Sequence, residues 1–143
     1  MKPESNLGGL LGKASRLLAN DLNTTLKVHG LTVEQWTLLA VLWGHDALKQ
    51  KELQAALLKD KATINSLVSY LVKDGFVHKK QDELDKRSVV VSLTPKGKEM
   101  QFATVPLTMK SITKATADID EEALQVATTV LQQLIHNLTK ETS

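Results

Sequence analysis

The stretch DKRSVVVSLTPKG, residues 85–97, sets three charged residues directly before three valines flanked by serines, and it continues into Thr94-Pro95. These β-branched residues predict a strand over residues 88–93, and residues 76–80 predict a second strand before it. The polar residues 81–87 between them predict the turn of a hairpin. Thr94 is suited to cap a helix whose first position is Pro95, where a missing N–H costs nothing. The stretch therefore predicts a charged hairpin that leads straight into a helix.

Two helices are predicted near the start of the chain. Apolar residues recur at three- and four-residue intervals over residues 7–26, and this amphipathic pattern stops at Gly30. Thr32 and Gln35 have the spacing of a capping box, and the apolar residues after them predict a second helix that ends at Gly44.

Two short helices are predicted directly before the hairpin. Residues 51–58 fit the first of them, and Asp60 is suited to cap the next, which ends at Gly75. Two short helices joined by a tight turn and followed by a hairpin form a winged helix-turn-helix, in which the second helix enters the major groove of DNA.

The C-terminal part is predicted to be helical as well. Pro106 removes a backbone hydrogen bond and crowds the preceding turn, so we expect it to kink or interrupt the fifth helix. A last amphipathic helix is expected to begin at Asp118 or Asp120, with Glu121 and Glu122 in its first turn.

The predicted fold class is mainly α with a small β-hairpin. At 143 residues the chain fits one domain, with a winged core over residues 31–98 and helices over residues 5–30 and 99–143 on either side. Apolar stripes left exposed on both flanking segments would form a larger patch than monomers usually tolerate. We therefore expect these segments to join two copies of the chain in a homodimer.

The composition narrows the classes of function. Residues 49–98 hold 11 Lys or Arg against 6 Asp or Glu, a formal charge of +5, whereas the remainder holds 7 against 10, or −3. A basic middle segment suggests an anionic partner. The absence of cysteine excludes disulfides, thiolate metal sites and thiol redox sensing. No apolar run approaches the length of a membrane span and no signal peptide is visible, so we expect a cytoplasmic protein with no membrane association and no cofactor.

The predicted fourth helix has two distinct faces. Ile64, Leu67, Val68 and Leu71 share one sector of a helical wheel, and small polar side chains occupy the opposite sector. Such side chains suit a close approach to base edges, and Asn65 is able to pair with adenine through two hydrogen bonds. An ordinary solvated helix face is the simpler alternative.

The hairpin carries most of the cations. Lys79, Lys80, Lys86 and Arg87 lie on or beside its loop, and arginine suits a narrow minor groove. Asp85 would repel phosphate if it were free, so we expect it to hold the basic side chains through a charge-assisted hydrogen bond. The alternative is that the acidic residues merely neutralise nearby lysines.

The segments LTVEQWTLL, KQKELQAALL, KATINSLVSYLVKDGFV and DKRSVVVSLTPKG, in this order over residues 31–97, resemble the multiple antibiotic resistance regulator (MarR) family. The resemblance implies an obligate homodimer that binds pseudo-palindromic operators on double-stranded DNA, often as a repressor released by a small aromatic or anionic effector. It places base-reading residues on the fourth helix, backbone contacts at the start of the third, and Asp85 with Arg87 in the wing. The expected DNA-binding residues are Gln50, Lys51, Lys61, Ala62, Thr63, Asn65, Ser66, Ser69, Tyr70, Lys73, Lys79, Lys80, Asp85, Lys86 and Arg87.

The resemblance also suggests a ligand pocket between the dimer helices and the winged domain, with Arg16, His29 and Trp36 as expected linings. Ser66 and Tyr70 stand where the family frequently has a basic residue, so the wing is expected to carry a larger share of the affinity.

Three other functions are alternatives to DNA binding. The four histidines have neither metal-ligand nor nucleophile–base spacing, and no phosphate-binding glycine loop is present, so no catalytic residues and no metal site are predicted. A metal sensor using His29, His45 and Asp46 is the second alternative. The third is a helical protein–protein interaction module whose winged domain does not bind DNA tightly, which a weak salt dependence with duplex DNA would reveal.

Overall fold

The computed structural model describes residues 2–140, and it is mainly α-helical, as the sequence predicts. The helices are α1 (Leu7–Leu26), α2 (Val33–Trp43), α3 (Gln50–Leu57), α4 (Lys61–Lys73), α5 (Pro95–Ala115) and α6 (Glu121–Thr139). The strands are β1 (Ala47–Lys49), β2 (Val77–Gln81) and β3 (Val89–Leu93), and single 3₁₀ turns lie at Pro3–Ser5 and Lys27–His29. Among these residues, no helix combines the length and the apolar character needed to span a membrane.

The predicted hairpin is the larger part of a three-stranded antiparallel sheet with the order β1-β3-β2. β2 pairs with β3 from Val77 opposite Leu93 to Gln81 opposite Val89. β1, which the sequence analysis missed, pairs with the other edge of β3 and sets Leu48 opposite Val91. A strand of three residues with one half-buried side chain is too short to show a period in the sequence.

The predicted helix starts are confirmed by their capping bonds. Thr32 and Gln35 form the expected capping box, in which the Thr32 hydroxyl accepts from the Gln35 N–H at 3.2 Å. Asp60 accepts from the N–H of Thr63 at 2.8 Å, and the Thr94 hydroxyl accepts from the Gly97 N–H at 3.1 Å. These side chains satisfy N–H groups that the first turn of a helix leaves without partners.

Gly75 precedes the wing, and Pro106 lies within the helix that follows it. Gly75, between α4 and β2, has a φ of +79°, which side-chain-bearing residues rarely adopt. Pro106 lies inside α5, which runs without a break from Pro95 to Ala115, so the predicted interruption is wrong. Proline removes one intrahelical hydrogen bond, and Thr104 and Thr108 on either side of it are buried.

The chain divides at Ser111 into two compact units. The first unit contains the winged core and α1, and the second contains the end of α5 and α6. The division falls within the segment 99–143 that the sequence analysis assigned to dimerisation.

The core of the first unit is aliphatic. Its buried residues come from α2, α3, α4 and the sheet, with one residue from the end of α1, one from the loop after it and one from the bend between α4 and β2. They are Leu26, Leu31, Leu38, Leu39, Leu42, Leu53, Ile64, Val68, Leu71, Phe76, Val77 and Val91. Because α3, α4 and β3 share this core, the helix-turn-helix and the wing are packed together, which fixes the surface between them.

Candidate nucleic-acid interface

The two faces of α4 are arranged as predicted. Ile64, Val68 and Leu71 are buried, Leu67 is half-buried, and these residues attach the helix to the core. The exposed residues of the predicted set on this helix are Lys61, Ala62, Asn65, Ser66, Ser69 and Lys73, whereas Thr63 is half-buried. The first turns of α4 therefore present small polar side chains to solvent.

The N-terminus of α4 is fixed by Asp60. Hydrogen bonds from the Thr63 hydroxyl and backbone N–H lower the pKa of Asp60, so the carboxylate stays charged to more acidic pH than an ordinary aspartate. A negative charge at this position also interacts favourably with the helix dipole.

Gln50, which the sequence predicts to contact the DNA backbone, is largely buried, and its contact with DNA stays a prediction. It is the first residue of α3, it is only 8% exposed, and its Nε2 donates a hydrogen bond to Oδ1 of Asn65. Its burial follows from the packing of α3 against α4, which the local sequence does not reveal. The contact connects a buried amide on one helix to an exposed amide on the other.

A cationic groove lies between the helix-turn-helix and the wing. It encloses about 300 Å³, and its walls come from β1, α3, the start of α4 and the beginning of β3. Four of its residues are cations and none is a carboxylate; they are Lys49, Gln50, Lys51, Gln54, Lys61, Arg87, Ser88 and Val89. Cations gathered on one concave surface make the local electrostatic potential more positive, which attracts an anion such as a phosphate backbone.

The expected hydrogen bond between Asp85 and Arg87 is present. Asp85 Oδ1 accepts from the Arg87 backbone N–H at 3.1 Å and from Arg87 Nε at 3.3 Å, and Oδ2 accepts from the Ser88 hydroxyl at 3.3 Å. These bonds, above all the one from the Arg87 backbone, hold the pKa of Asp85 below its ordinary value. The Arg87 side chain remains 93% exposed, so its terminal nitrogens stay available.

A second acidic residue of the wing is also paired within the protein. Asp82 forms an ion pair with Lys49 of β1 at 3.6 Å, and its side chain is only 16% exposed. Gln81 donates from Nε2 to the Lys86 carbonyl, which closes the base of the turn. The loop is thus internally bonded, and the ion pair of Asp82 with Lys49 is also compatible with the alternative in which the acidic residues neutralise nearby lysines.

Three lysines of the wing differ from its ion-paired residues. Lys79, Lys80 and Lys86 are exposed, and within residues 2–140 no ion pair to an acidic side chain involves any of them. Lys51 on α3 and Lys73 on α4 are also exposed. The predicted cations therefore face solvent, as phosphate contacts must.

Tyr70 differs from the other predicted residues of α4. Its side chain is half-buried, and its hydroxyl donates to the carbonyl oxygen of Gly30 at 2.7 Å. The nearby Asp74 raises the pKa of Tyr70. Tyr70 therefore connects α4 to the turn before α2, and its contribution to DNA binding stays a prediction.

Within residues 2–140, no described contact joins any two of the three expected ligand residues, Arg16, His29 and Trp36. Trp36 is half-buried, donates from Nε1 to the Thr104 hydroxyl at 2.7 Å, and packs edge-on against Trp43 with ring centres 5.7 Å apart. Arg16 is exposed on α1, and His29 is half-buried in the turn that follows it. Their role as ligand contacts stays a prediction.

A separate cavity of about 550 Å³ lies where α2, the end of β3 and the start of α5 meet. Its residues are Trp43, Gly44, His45, Asp46, Leu93, Lys98, Gln101 and Phe102. Over the described range 2–140, no group of three or more His, Cys, Asp or Glu side chains is close enough to hold a metal ion, so the metal-sensor alternative gains no support.

Four residues that line the cationic groove are absent from the predicted set: Lys49, Gln54, Ser88 and Val89. Lys49 lies on the unpredicted β1, and only the pairing of that strand with β3 brings it to the wing. The net charge of residues 49–98 was the one signal that included it.

Comparisons with known proteins agree with this geometry. The MarR family model matches residues 31–89. The organic hydroperoxide resistance transcriptional regulator of Bacillus subtilis (strain 168) is 29% identical over 138 residues, which cover 95% of this chain and 93% of the relative.

Solved structures show the same fold. A MarR transcriptional regulator from Methanosarcina mazei Go1 has a TM-score of 0.86 at 25% identity, covering 94% of this chain and 96% of that one. Bordetella bronchiseptica BpsR, whose DNA binding is regulated by 6-hydroxynicotinic acid, has a TM-score of 0.86 at 21% identity, covering 94% and 96%. Residues 31–89, the winged core, thus match the MarR family, and the chain has the winged helix-turn-helix fold of MarR transcriptional regulators.

Proposed function

We propose that this protein regulates transcription as a homodimer, most simply as a repressor, by binding a pseudo-palindromic operator. In this proposal α4 enters the major groove and the wing lies against the adjacent backbone and minor groove. The observation that carries the proposal is the groove between α3, α4 and the wing, because Lys49, Lys51, Lys61 and Arg87 line it and no acidic residue does.

The division of labour follows from charge and side-chain size. The exposed lysines of the wing and α3 suit phosphates, which supply affinity without sequence information. Asn65, Ser66 and Ser69 on α4 have short side chains, which allow the helix to approach the base edges closely, and they carry hydrogen-bonding groups. The wing thus supplies most of the charge, and α4 supplies the discrimination.

Dimerisation is supported by apolar surface on two helices, each considered by itself. α6 has no fully buried residue, and Val126, Ile135 and Leu138 are 63%, 52% and 78% exposed. On α1, Leu7 and Leu17 are 58% and 62% exposed. A second copy of the chain would cover such surface, and a twofold axis would set two recognition helices about 34 Å apart, one turn of B-form DNA.

We also propose that a small aromatic or anionic molecule controls DNA binding, as an organic acid does for BpsR. Arg16, His29 and Trp36 remain the proposed contacts. These 143 residues contain no cysteine, so the proposed control does not act through a thiol of these residues. Thermal-shift screening of aromatic acids, followed by operator binding in the presence of each hit, tests this part.

The decisive experiment combines oligomeric state with salt dependence. Sedimentation should give twice the mass of the chain. The affinity for a duplex selected from a random library should fall linearly with salt on logarithmic axes, with a slope of about −0.9 per phosphate contact. A monomer, or a dimer that binds no duplex at low salt, would contradict the proposal, and the second result would favour a protein-binding module.

A further inference from the structure

We infer that Gln50 is a positioning residue for base recognition, which holds the amide of Asn65 so that its NH₂ group is presented to DNA. The inference rests on the proposed function, in which α4 enters the major groove. It replaces the backbone contact that the sequence predicted for Gln50 with a role in specificity.

The contact has the properties that positioning requires. Gln50 is 8% exposed, so packing restricts its side chain, whereas Asn65 is exposed on the polar face of α4. Gln50 Nε2 donates to Asn65 Oδ1. Gln50 also lines the cationic groove, so the contact lies beside the surface proposed to receive the DNA backbone.

The amide chemistry then determines what Asn65 offers. An asparagine side chain has an acceptor oxygen and a donor nitrogen on opposite arms of one planar group. When Gln50 donates a hydrogen bond to the oxygen of the Asn65 amide, the nitrogen of that amide points away from Gln50. Asn65 therefore acts mainly as a hydrogen-bond donor, rather than as the paired donor and acceptor that adenine requires.

Donors and acceptors are distributed unequally among bases in the major groove. Guanine offers two acceptors, N7 and O6, and thymine offers O4, whereas cytosine offers only the N4 donor. We therefore expect the base pair that Asn65 contacts to favour guanine or thymine and to disfavour cytosine on the strand that it reads.

Substituting Gln50→Glu should reverse this preference. A carboxylate only accepts, so the Asn65 amide must turn its nitrogen toward residue 50 and present its oxygen to DNA. The cations of the groove favour the ionised form of that carboxylate. The ratio of cytosine-containing to guanine-containing duplex affinities should rise by about tenfold relative to the unsubstituted protein.

Gln54→Glu is the matched control. Gln54 lies one turn later on α3 and lines the same groove, so the variant adds the same charge without removing the bond to Asn65. Both variants should bind DNA more weakly, but only Gln50→Glu should change the base preference. In an Asn65→Ala background, Gln50→Glu should leave the preference unchanged.

The experiment measures competition among duplexes that carry every single base-pair substitution of the selected sequence, at about pH 8 so that the glutamate is ionised. If Gln50→Glu does not fold, Gln50→Met removes the hydrogen bond at similar size and should flatten the preference at the same position. The same base preference in Gln50→Glu and Gln54→Glu, or a cytosine preference in the unsubstituted protein, would overturn this inference and leave the proposed function intact. Failure of the unsubstituted protein to bind any duplex would overturn the proposed function with it.

Discussion

Asp85 accepts two hydrogen bonds from Arg87, one from its backbone N–H at 3.1 Å and one from its Nε at 3.3 Å. A carboxylate at the tip of a DNA-binding wing would on charge alone oppose binding. The geometry indicates the opposite effect, because the carboxylate fixes the direction of the arginine side chain while leaving its terminal nitrogens exposed.

The first prediction is that Asp85→Asn weakens operator binding severalfold, although it removes a negative charge from a surface that meets phosphate. The physical reason is that a neutral amide holds the guanidinium less firmly than a carboxylate does. Fluorescence anisotropy with a labelled duplex measures the change. Glu83→Gln is the control, since Glu83 is exposed in the same loop and its loss should slightly strengthen binding. Tighter binding by both variants would show that Asp85 is only a repulsive charge.

The second prediction separates the wing from the recognition helix. Arg87→Ala should weaken binding to all duplexes and reduce the magnitude of the salt slope by about 0.9, because one phosphate contact is lost. Asn65→Ala should leave that slope unchanged and relax base preference by about 1 kcal/mol, because one hydrogen bond to a base is lost. Titrations at several salt concentrations against matched and substituted duplexes distinguish the two effects. A change of base preference in Arg87→Ala without a change of slope would contradict this assignment.

The third prediction concerns acid and the N-terminus of α4. Asp60 has a lowered pKa, so its capping contribution is present above the ordinary value of 3.8 and is lost as the pH falls through the lower value of the folded state. The stability difference between the unsubstituted protein and Asp60→Ala should therefore be largest near neutral pH and shrink in acid.

Thr32→Ala is the control for this experiment, because Thr32 caps α2 with a group that does not titrate. It should cost about 1 kcal/mol at every pH. Urea unfolding over a pH series measures both differences. A pH-independent difference for Asp60→Ala would show that its charge does not contribute.

The fourth prediction tests the junction between the wing and α5. A Cβ atom added to Gly97 would lie 2.1 Å from the Phe76 carbonyl oxygen, so Gly97→Ala must separate α5 from the start of the wing. We expect a loss of about 1–3 kcal/mol in unfolding free energy. Gly12→Ala on α1 is the contrast, since its Cβ would meet nothing within 4 Å and alanine should stabilise that helix by about 0.5–1 kcal/mol. Thermal unfolding measures the stability of both variants. Equal changes in stability would contradict the close approach of Gly97 to the Phe76 carbonyl oxygen.

The sequence was sufficient where structure depends on neighbours along the chain. The caps at Thr32, Asp60 and Thr94 and the buried face of α4 are local patterns, and each is present in the structure. The pairing of Asp85 with Arg87 belongs to the same class, because the two residues are only two positions apart.

The sequence was insufficient where tertiary packing decides. Gln50 resembles any polar residue at the start of a helix, and only the approach of α3 to α4 buries it against Asn65. The engagement of Tyr70 with Gly30 joins residues 40 positions apart, which no local pattern encodes. Pro106 is a related case, because the cost of proline in a helix was outweighed by the packing of the residues around it.

The missed strand has a mechanical consequence. β1 ends at Lys49 and α3 begins at Gln50, so the bracing helix continues directly from the sheet without a loop between them. The ion pair of Lys49 with Asp82 joins the same strand to the wing tip. The two walls of the cationic groove are therefore joined without an intervening loop, so we expect little loss of conformational entropy when a duplex binds there.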